Sequence, residues 1–189
     1  QLLRFLARFM TRRLIALLLL VASWPTLASS FTIEQLMRSL AAHPGGSVRF
    51  VETRHVAVLD VPIVSTGEMT YTPPDRLEKR TLTPRPERLL LERDTLTLER
   101  DQRRMSLRLG NRPEVLAFVD SIRGMLGGHH QALERNYLMQ LQGSPQRWVL
   151  TLYPKDHEIA ALVQRITVAG QADQVRLIEY LQADGDRSV

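Results

Sequence analysis

The stretch from Asn111 to Gly128, N-R-P-E-V-L-A-F-V-D-S-I-R-G-M-L-G-G, constrains the fold more than any other part of the chain. Val115, Phe118, Val119, Ile122 and Leu126 recur at helical spacing, Leu116 and Met125 widen the stripe, and Glu114, Asp120, Ser121 and Arg123 mark the opposite face. The spacing predicts an amphipathic helix of about four turns, capped by Asn111, entered through Pro113 and ended by Gly127-Gly128. Nearly everything around it alternates with a period of two, so this stripe can be buried only on a sheet. Two roles satisfy that requirement: a permanent core helix, or a lid over an apolar cavity.

The first 30 residues read differently. Arg4, Arg8, Arg12 and Arg13 precede the apolar run 14–22, and Trp24-Pro25-Thr26-Leu27-Ala28-Ser29-Ser30 supplies the small residues of a cleavage region. The run is shorter than the roughly 20 apolar residues of a membrane span, so it predicts a secretory signal peptide cut near Ala28 to Ser30, with Met10 a candidate initiator. Those four arginines account for most of the formal charge of +5; residues 31–189 carry about +1, without the clustered basic footprint that nucleic acid requires. The remaining 159 residues suit one domain with a real core. There is no Cys, so disulfides, thiol nucleophiles and thiolate metal sites drop out, and stability must come from packing.

Thr32-x-x-Gln35 is a capping box that opens a short helix with Ile33, Leu36, Met37 and Leu40 on one face, and Phe31 is placed to staple to Leu36. The next run sets Val48, Phe50, Glu52 and Arg54 on one side of a strand. In residues 67–72, Met69 and Tyr71 take the apolar face, Pro73-Pro74-Asp75-Arg76 turns the chain, and residues 77–83 leave as another strand. Strands over 88–92, 95–100 and 104–109 follow: Leu96 and Leu98 alternate with Thr95, Thr97 and Glu99, and Met105 and Leu107 with Arg104, Ser106 and Arg108. Beyond the central helix come a helical segment at 129–135, a hairpin joining 137–141 to 148–153, a short helix at 158–163, and strands at 164–169 and 175–182. No repeat or linker divides the domain.

Catalytic chemistry is not legible. The chain has no G-x-S-x-G elbow, no phosphate-cradling glycine loop and no H-E-x-x-H helix. His129-His130 reads as a solvated loop rather than a metal site, since neighbouring helical residues point about 100° apart. Asp184-Gly185-Asp186 lacks the further ligands of a calcium loop. Glu52 and Arg54 read as an ion pair on one strand, and His55 and His157 have no evident partners.

The signal segment, the first amphipathic helix, the strand Phe50-Val51-Glu52-Thr53-Arg54, the run from Gly67 through Tyr71-Thr72-Pro73-Pro74 to Leu77, the helix from Pro113 to Leu126 and the ending Ala183-Asp184-Gly185-Asp186-Arg187-Ser188 together resemble the LolA-like outer-membrane lipoprotein carrier superfamily. The likeness is to its divergent branch, of the type encoded beside lipid and aryl-polyene genes. The resemblance implies an α+β fold, a curved antiparallel sheet forming an incomplete half-barrel, with helices covering its concave apolar face. It implies a monomeric periplasmic carrier that takes acyl chains of a lipoprotein or lipid from an inner-membrane donor to an outer-membrane acceptor, with no enzyme activity, no cofactor and no nucleic acid. The residues expected to line the acyl site are Phe50, Met69, Tyr71, Leu96, Leu98, Met105, Leu107, Val115, Phe118, Val119, Ile122 and Leu126. A periplasmic sensor or protein-interaction domain on the same scaffold is the alternative. Carriers of this kind commonly latch the lid with an Arg just before the Pro that ends a strand; Thr72-Pro73-Pro74 offers no cation there, which leaves Arg54, Arg76 and Arg123 as possible substitutes.

Overall fold

A computed structural model of the chain describes residues 31–42 and 45–189; the expected signal segment and His43-Pro44 lie outside the described residues. The opening helix α1 (Ile33–Ala41) forms because its capping box closes: Thr32 Oγ1 accepts from the Gln35 N–H at 3.3 Å, and Gln35 Oε1 accepts from the Thr32 N–H at 3.0 Å. Leu36, Met37 and Leu40 are its buried face.

Six strands follow as successive hairpins: β1 (Gly46–His55), β2 (Ile63–Thr72), β3 (Arg76–Thr83), β4 (Glu87–Glu92), β5 (Thr95–Arg100) and β6 (Arg103–Arg108). A 3₁₀ turn (Leu109–Asn111) leads into α2 (Pro113–Leu126) and α3 (His130–Asn136). The chain ends through β7 (Tyr137–Ser144), β8 (Arg147–Pro154), α4 (His157–Ala160), β9 (Val163–Gln171), β10 (Gln174–Gln182) and the two-residue β11 (Arg187–Ser188). All the pairings are antiparallel, and the order is β6-β5-β4-β3-β2-β1-β11-β10-β9-β8-β7. The edges β6 and β7 do not pair with each other, so the curved sheet stays open, an incomplete barrel with helices on it.

The apolar residues divide into two clusters. The larger joins Leu36, Met37 and Leu40 of α1, Met125 of α2, Leu133 of α3 and the inward residues of β7–β9, with Trp148, Leu150, Leu152, Ile166 and Val168 almost fully buried. The smaller consists of Leu91, Leu109 and Val119, with Leu77, Leu96, Val115, Leu116 and Phe118 packed around it. Helix α2 is the element common to both, and Phe118 touches both.

The other face of β3–β5 carries charge in ladder order. Glu78 accepts from Arg88 Nε at 2.8 Å and Nη2 at 3.2 Å, from Arg76 at 3.3 Å and from Arg80 at 3.2 Å, while Arg88 also reaches Glu99 at 3.2 Å. The hydrogen bonds from Arg88, ahead of those from Arg76 and Arg80, hold the Glu78 carboxyl down at about 2. A carboxyl depressed in the folded state stabilises above its unfolded value of 4.5 and loses that contribution as pH falls toward 2. We expect urea unfolding to show a loss of about 1 kcal/mol over that window from this group, after solvent screening. Glu78→Gln should flatten the acid limb by that amount; an unchanged limb would mean that the network adds nothing.

Candidate functional site: the leucine face under helix α2

Residues directly opposite in an antiparallel sheet share a face, so the register defines the surface that α2 covers. Tyr71, Leu77, Leu91, Leu96 and Leu107 form one cross-strand row; Met69, Lys79, Leu89, Leu98 and Met105 form the next. Phe50 lies opposite Gly67, where an added Cβ would sit 2.9 Å from the Phe50 ring, so the glycine makes room for the aromatic.

Of the twelve residues expected at the site, Val119 is buried on Leu91 and Leu109, and Val115, Phe118 and Leu96 pack half-buried around them. Tyr71 is buried, its hydroxyl donating to the Pro74 carbonyl at 3.1 Å. Met69, Leu98 and Phe50 are half-buried on the same face. Ile122 and Leu126 are half-buried but belong to neither cluster. Met105 and Leu107 sit on the edge strand, 69% and 47% exposed. Leu77, Leu89, Leu91 and Leu109 were missed by sequence reasoning. In L-E-K-R the apolar alternation of β3 is masked by Lys79, which shares Leu77's side.

That lysine belongs to a polar island in the apolar face. Lys79 Nζ donates to Glu52 Oε2 at 2.6 Å and lies 5.0 Å from the Phe50 ring centroid. Glu52 also accepts from Ser188 Oγ at 2.8 Å and Ser65 Oγ at 3.3 Å. Burial pushes the Glu52 carboxyl up, but these donors, Lys79 foremost, bring it below the ordinary value. Burial, then the nearby Glu52, raises the Tyr180 hydroxyl; its ring meets Phe118 edge-on at 5.8 Å. Glu52 and Arg54 are therefore not an ion pair: Arg54 binds Asp186 at 3.2 Å, and Asp186 also accepts from the Ala57 N–H at 3.0 Å. The Asp184-Gly185-Asp186 turn thereby pins β11 beside β1.

Helix α2 departs from the sequence expectation at its N-terminus and on one face. Its N-cap is Arg112, which makes no side-chain capping bond; Asn111 is held in the preceding turn, where buried Leu109 donates to the Asp94 carbonyl at 2.7 Å. Ser121, expected on the polar face, is buried, donating to the Ala117 carbonyl at 2.7 Å, because the α2 surface that carries it is enclosed within the domain, where α2 also packs on α3. At the C-terminus Gly128 has φ +71°, and a Cβ there would come within 2.5 Å of both Ala41 Cβ and the Met37 carbonyl. The helix ends at the glycine pair, as expected, and Gly128 makes a tight joint on α1. His129 and His130 are the N-cap and first residue of α3, not a loop.

Arg123, also placed by the sequence among the polar residues, closes the site. Its side chain is only 13% exposed; Nη1 donates to Asp120 at 3.1 Å, and Nη2 donates to the Asp75 carbonyl at 3.0 Å and to the Arg93 carbonyl. Asp75 lies in the β2–β3 turn and Arg93 in the β4–β5 turn, so one guanidinium ties the helix to two hairpin ends. Of the three arginines left open by Thr72-Pro73-Pro74, Arg123 makes this tie; Arg76 serves the outer charge ladder through Glu78 and Glu92. A groove of about 540 Å³ lies elsewhere, at the β3–β6 end among Arg80, Arg88, Arg100, Arg103, Glu87 and Glu99. Its charged lining does not suit acyl chains.

An open antiparallel sheet whose apolar face is closed by a tied-down helix defines a binding scaffold of the carrier type. The chain belongs to the LolA-like outer-membrane lipoprotein carrier family, whose model matches residues 26–188. Among solved structures it is similar to the LolA superfamily protein NE2245 from Nitrosomonas europaea (12% identity, 82% of this chain and 74% of that one, TM-score 0.41). It is also similar to a chain of the CwlD amidase–GerS lipoprotein complex from Clostridioides difficile (13%, 86% and 91%, TM-score 0.40). A third similarity is to a chain of the MucA/MucB complex of Pseudomonas aeruginosa (12%, 82%, TM-score 0.43), of which this chain spans about half, 54%. No curated protein sequence matches the chain.

Proposed function

We propose that the protein is a periplasmic carrier that shelters the acyl chains of a lipoprotein or lipid between its leucine face and α2, and passes them from the inner to the outer membrane. The observation that carries this reading is the division of the core: the large cluster supports the fold, while the small one under α2 can be exchanged for a ligand. Its three buried side chains are worth roughly 5–9 kcal/mol by apolar burial. An acyl chain of about 15 methylenes, at about 0.8 kcal/mol each, offers about 12. A chain entering under the helix therefore supplies apolar burial of the same order as lifting the helix gives up.

Native mass spectrometry of the protein exported to the periplasm and purified without detergent tests this reading. We expect co-purifying lipid or lipoprotein on a mature chain starting at Ser29 or Phe31. A bare polypeptide partner and no lipid would transfer the protein to the sensor or interaction class.

A further inference from the structure

The β1–β2, β3–β4 and β5–β6 connections lie at one end of the antiparallel sheet, opposite the β2–β3 and β4–β5 turns that Arg123 ties to α2. Toward that free end the leucine rows give way to Thr81, Glu87, Arg100 and Arg103. The β1–β2 hairpin overhangs it. Strand β2 pairs with β3 no further than Thr66, so Ile63, Val64 and Ser65 run on for roughly 10 Å with only β1 beside them, and the loop 56–62 projects beyond.

This tip is apolar and wet. Residues 56–64, V-A-V-L-D-V-P-I-V, carry one charge, Asp60, while Val58 is 88% and Val61 71% exposed and Leu59, Ile63 and Val64 are each about half exposed. The loop is nonetheless held in shape: the Ala57 N–H donates to Asp186 Oδ1 at 3.0 Å, and the Leu59 N–H donates to the Val56 carbonyl at 2.9 Å. An apolar patch kept in water by a built support marks a contact surface. Its neighbours at the same end are cationic. The groove there is lined by five arginines against three carboxylates, Arg103 makes no ion pair among the described residues, and half-exposed Leu82 stands beside them.

We propose that this end docks on an anionic lipid bilayer, the β1–β2 tip seated among the headgroups and upper acyl chains and the arginines of the β3–β6 end on the lipid phosphates. Cations flanking an apolar tip match the two layers that such a bilayer presents, phosphate outside and hydrocarbon beneath. Asp60 sets the depth. A carboxylate stays out of hydrocarbon, so the tip reaches the interface and does not cross it. The docking rests on the carrier reading for its role, and adds that the protein meets the membrane through the end of the sheet away from the Arg123 tie.

Cosedimentation of the exported protein with vesicles tests this. We expect binding to vesicles of phosphatidylethanolamine and phosphatidylglycerol, and about tenfold weaker binding to phosphatidylcholine alone. Val58→Asp combined with Val61→Asp alters two exposed side chains; it should keep the fold and the affinity for a fatty-acyl probe, yet weaken vesicle binding tenfold or more. Arg103→Ala should weaken it about fivefold. Fluorescence of Val58→Trp should shift to the blue on vesicles and be quenched by brominated acyl chains. Vesicle binding that survives the double substitution, or no vesicle binding by a protein that still holds the probe, would overturn the docking and leave the carrier reading standing. Vesicle binding by a protein that never takes the probe would remove the carrier reading and keep the docking. Binding to native membrane fragments but not to vesicles of their extracted lipid would assign the tip to a membrane protein and overturn the proposal.

Discussion

Val119→Asp is expected to leave the domain folded by circular dichroism while abolishing binding of a fluorescent fatty-acyl probe. Val119 is 7% exposed at the centre of the small cluster, so a carboxylate there cannot stay buried without several kcal/mol of penalty. If α2 is a lid, its N-terminal half lifts away and the charge reaches water. That half enters from Arg112 without a side-chain cap, while Met125 and Gly128 anchor the other end in the large cluster and on α1. The large cluster is untouched, and the fold persists on it. Leu150→Asp, fully buried in that cluster, provides the contrast: several kcal/mol against a total of about 5–15 should unfold the protein. Cooperative unfolding of Val119→Asp at room temperature, or probe affinity equal to the parent's, would return α2 to the status of a permanent core helix.

The second large effect is expected at Arg123. Arg123→Met keeps much of the apolar stem but removes the donors to the Asp75 and Arg93 carbonyls, each charge-assisted bond being worth about 1.5–3 kcal/mol. The tie favours the closed helix, so its loss should raise the release rate of a bound acyl probe tenfold or more and speed amide exchange along residues 113–120. Far-ultraviolet circular dichroism should not change. Arg123→Lys, with a single ammonium in place of the fork, should fall between. An unaltered release rate in Arg123→Met would show that the guanidinium only stiffens two turns. Asp120→Ala serves as a control, because that carboxylate is half exposed and on the same helix as the arginine.

Much of this architecture was legible in the chain itself. The capping box at Thr32 and Gln35, the alternation at Met69 and Tyr71, the turn at Pro73-Pro74 and the apolar stripe of α2 are local patterns, and local sterics and hydrogen bonding enforce them wherever the chain goes. Those patterns fixed the elements and, through resemblance, the family. What the tertiary structure decided are the relations between residues distant in sequence. Ser121 looked solvated because it is polar; the wide enclosed surface of α2 buries it. Gly127-Gly128 read only as the end of the helix, and Gly128 is also the residue that lets α2 sit on Met37 and Ala41. Glu52 and Arg54, two apart on one strand, were joined on sequence proximity, whereas the register gives Glu52 to Lys79 and the β11 turn gives Arg54 to Asp186. Arg123 as the tie could not be read either, since its acceptors are backbone carbonyls 48 and 30 residues away that carry no side-chain signature. Periodicity reports which way a side chain faces from its own element; which partner stands there is set by the order and register of strands, and that information exists only once the sheet has formed.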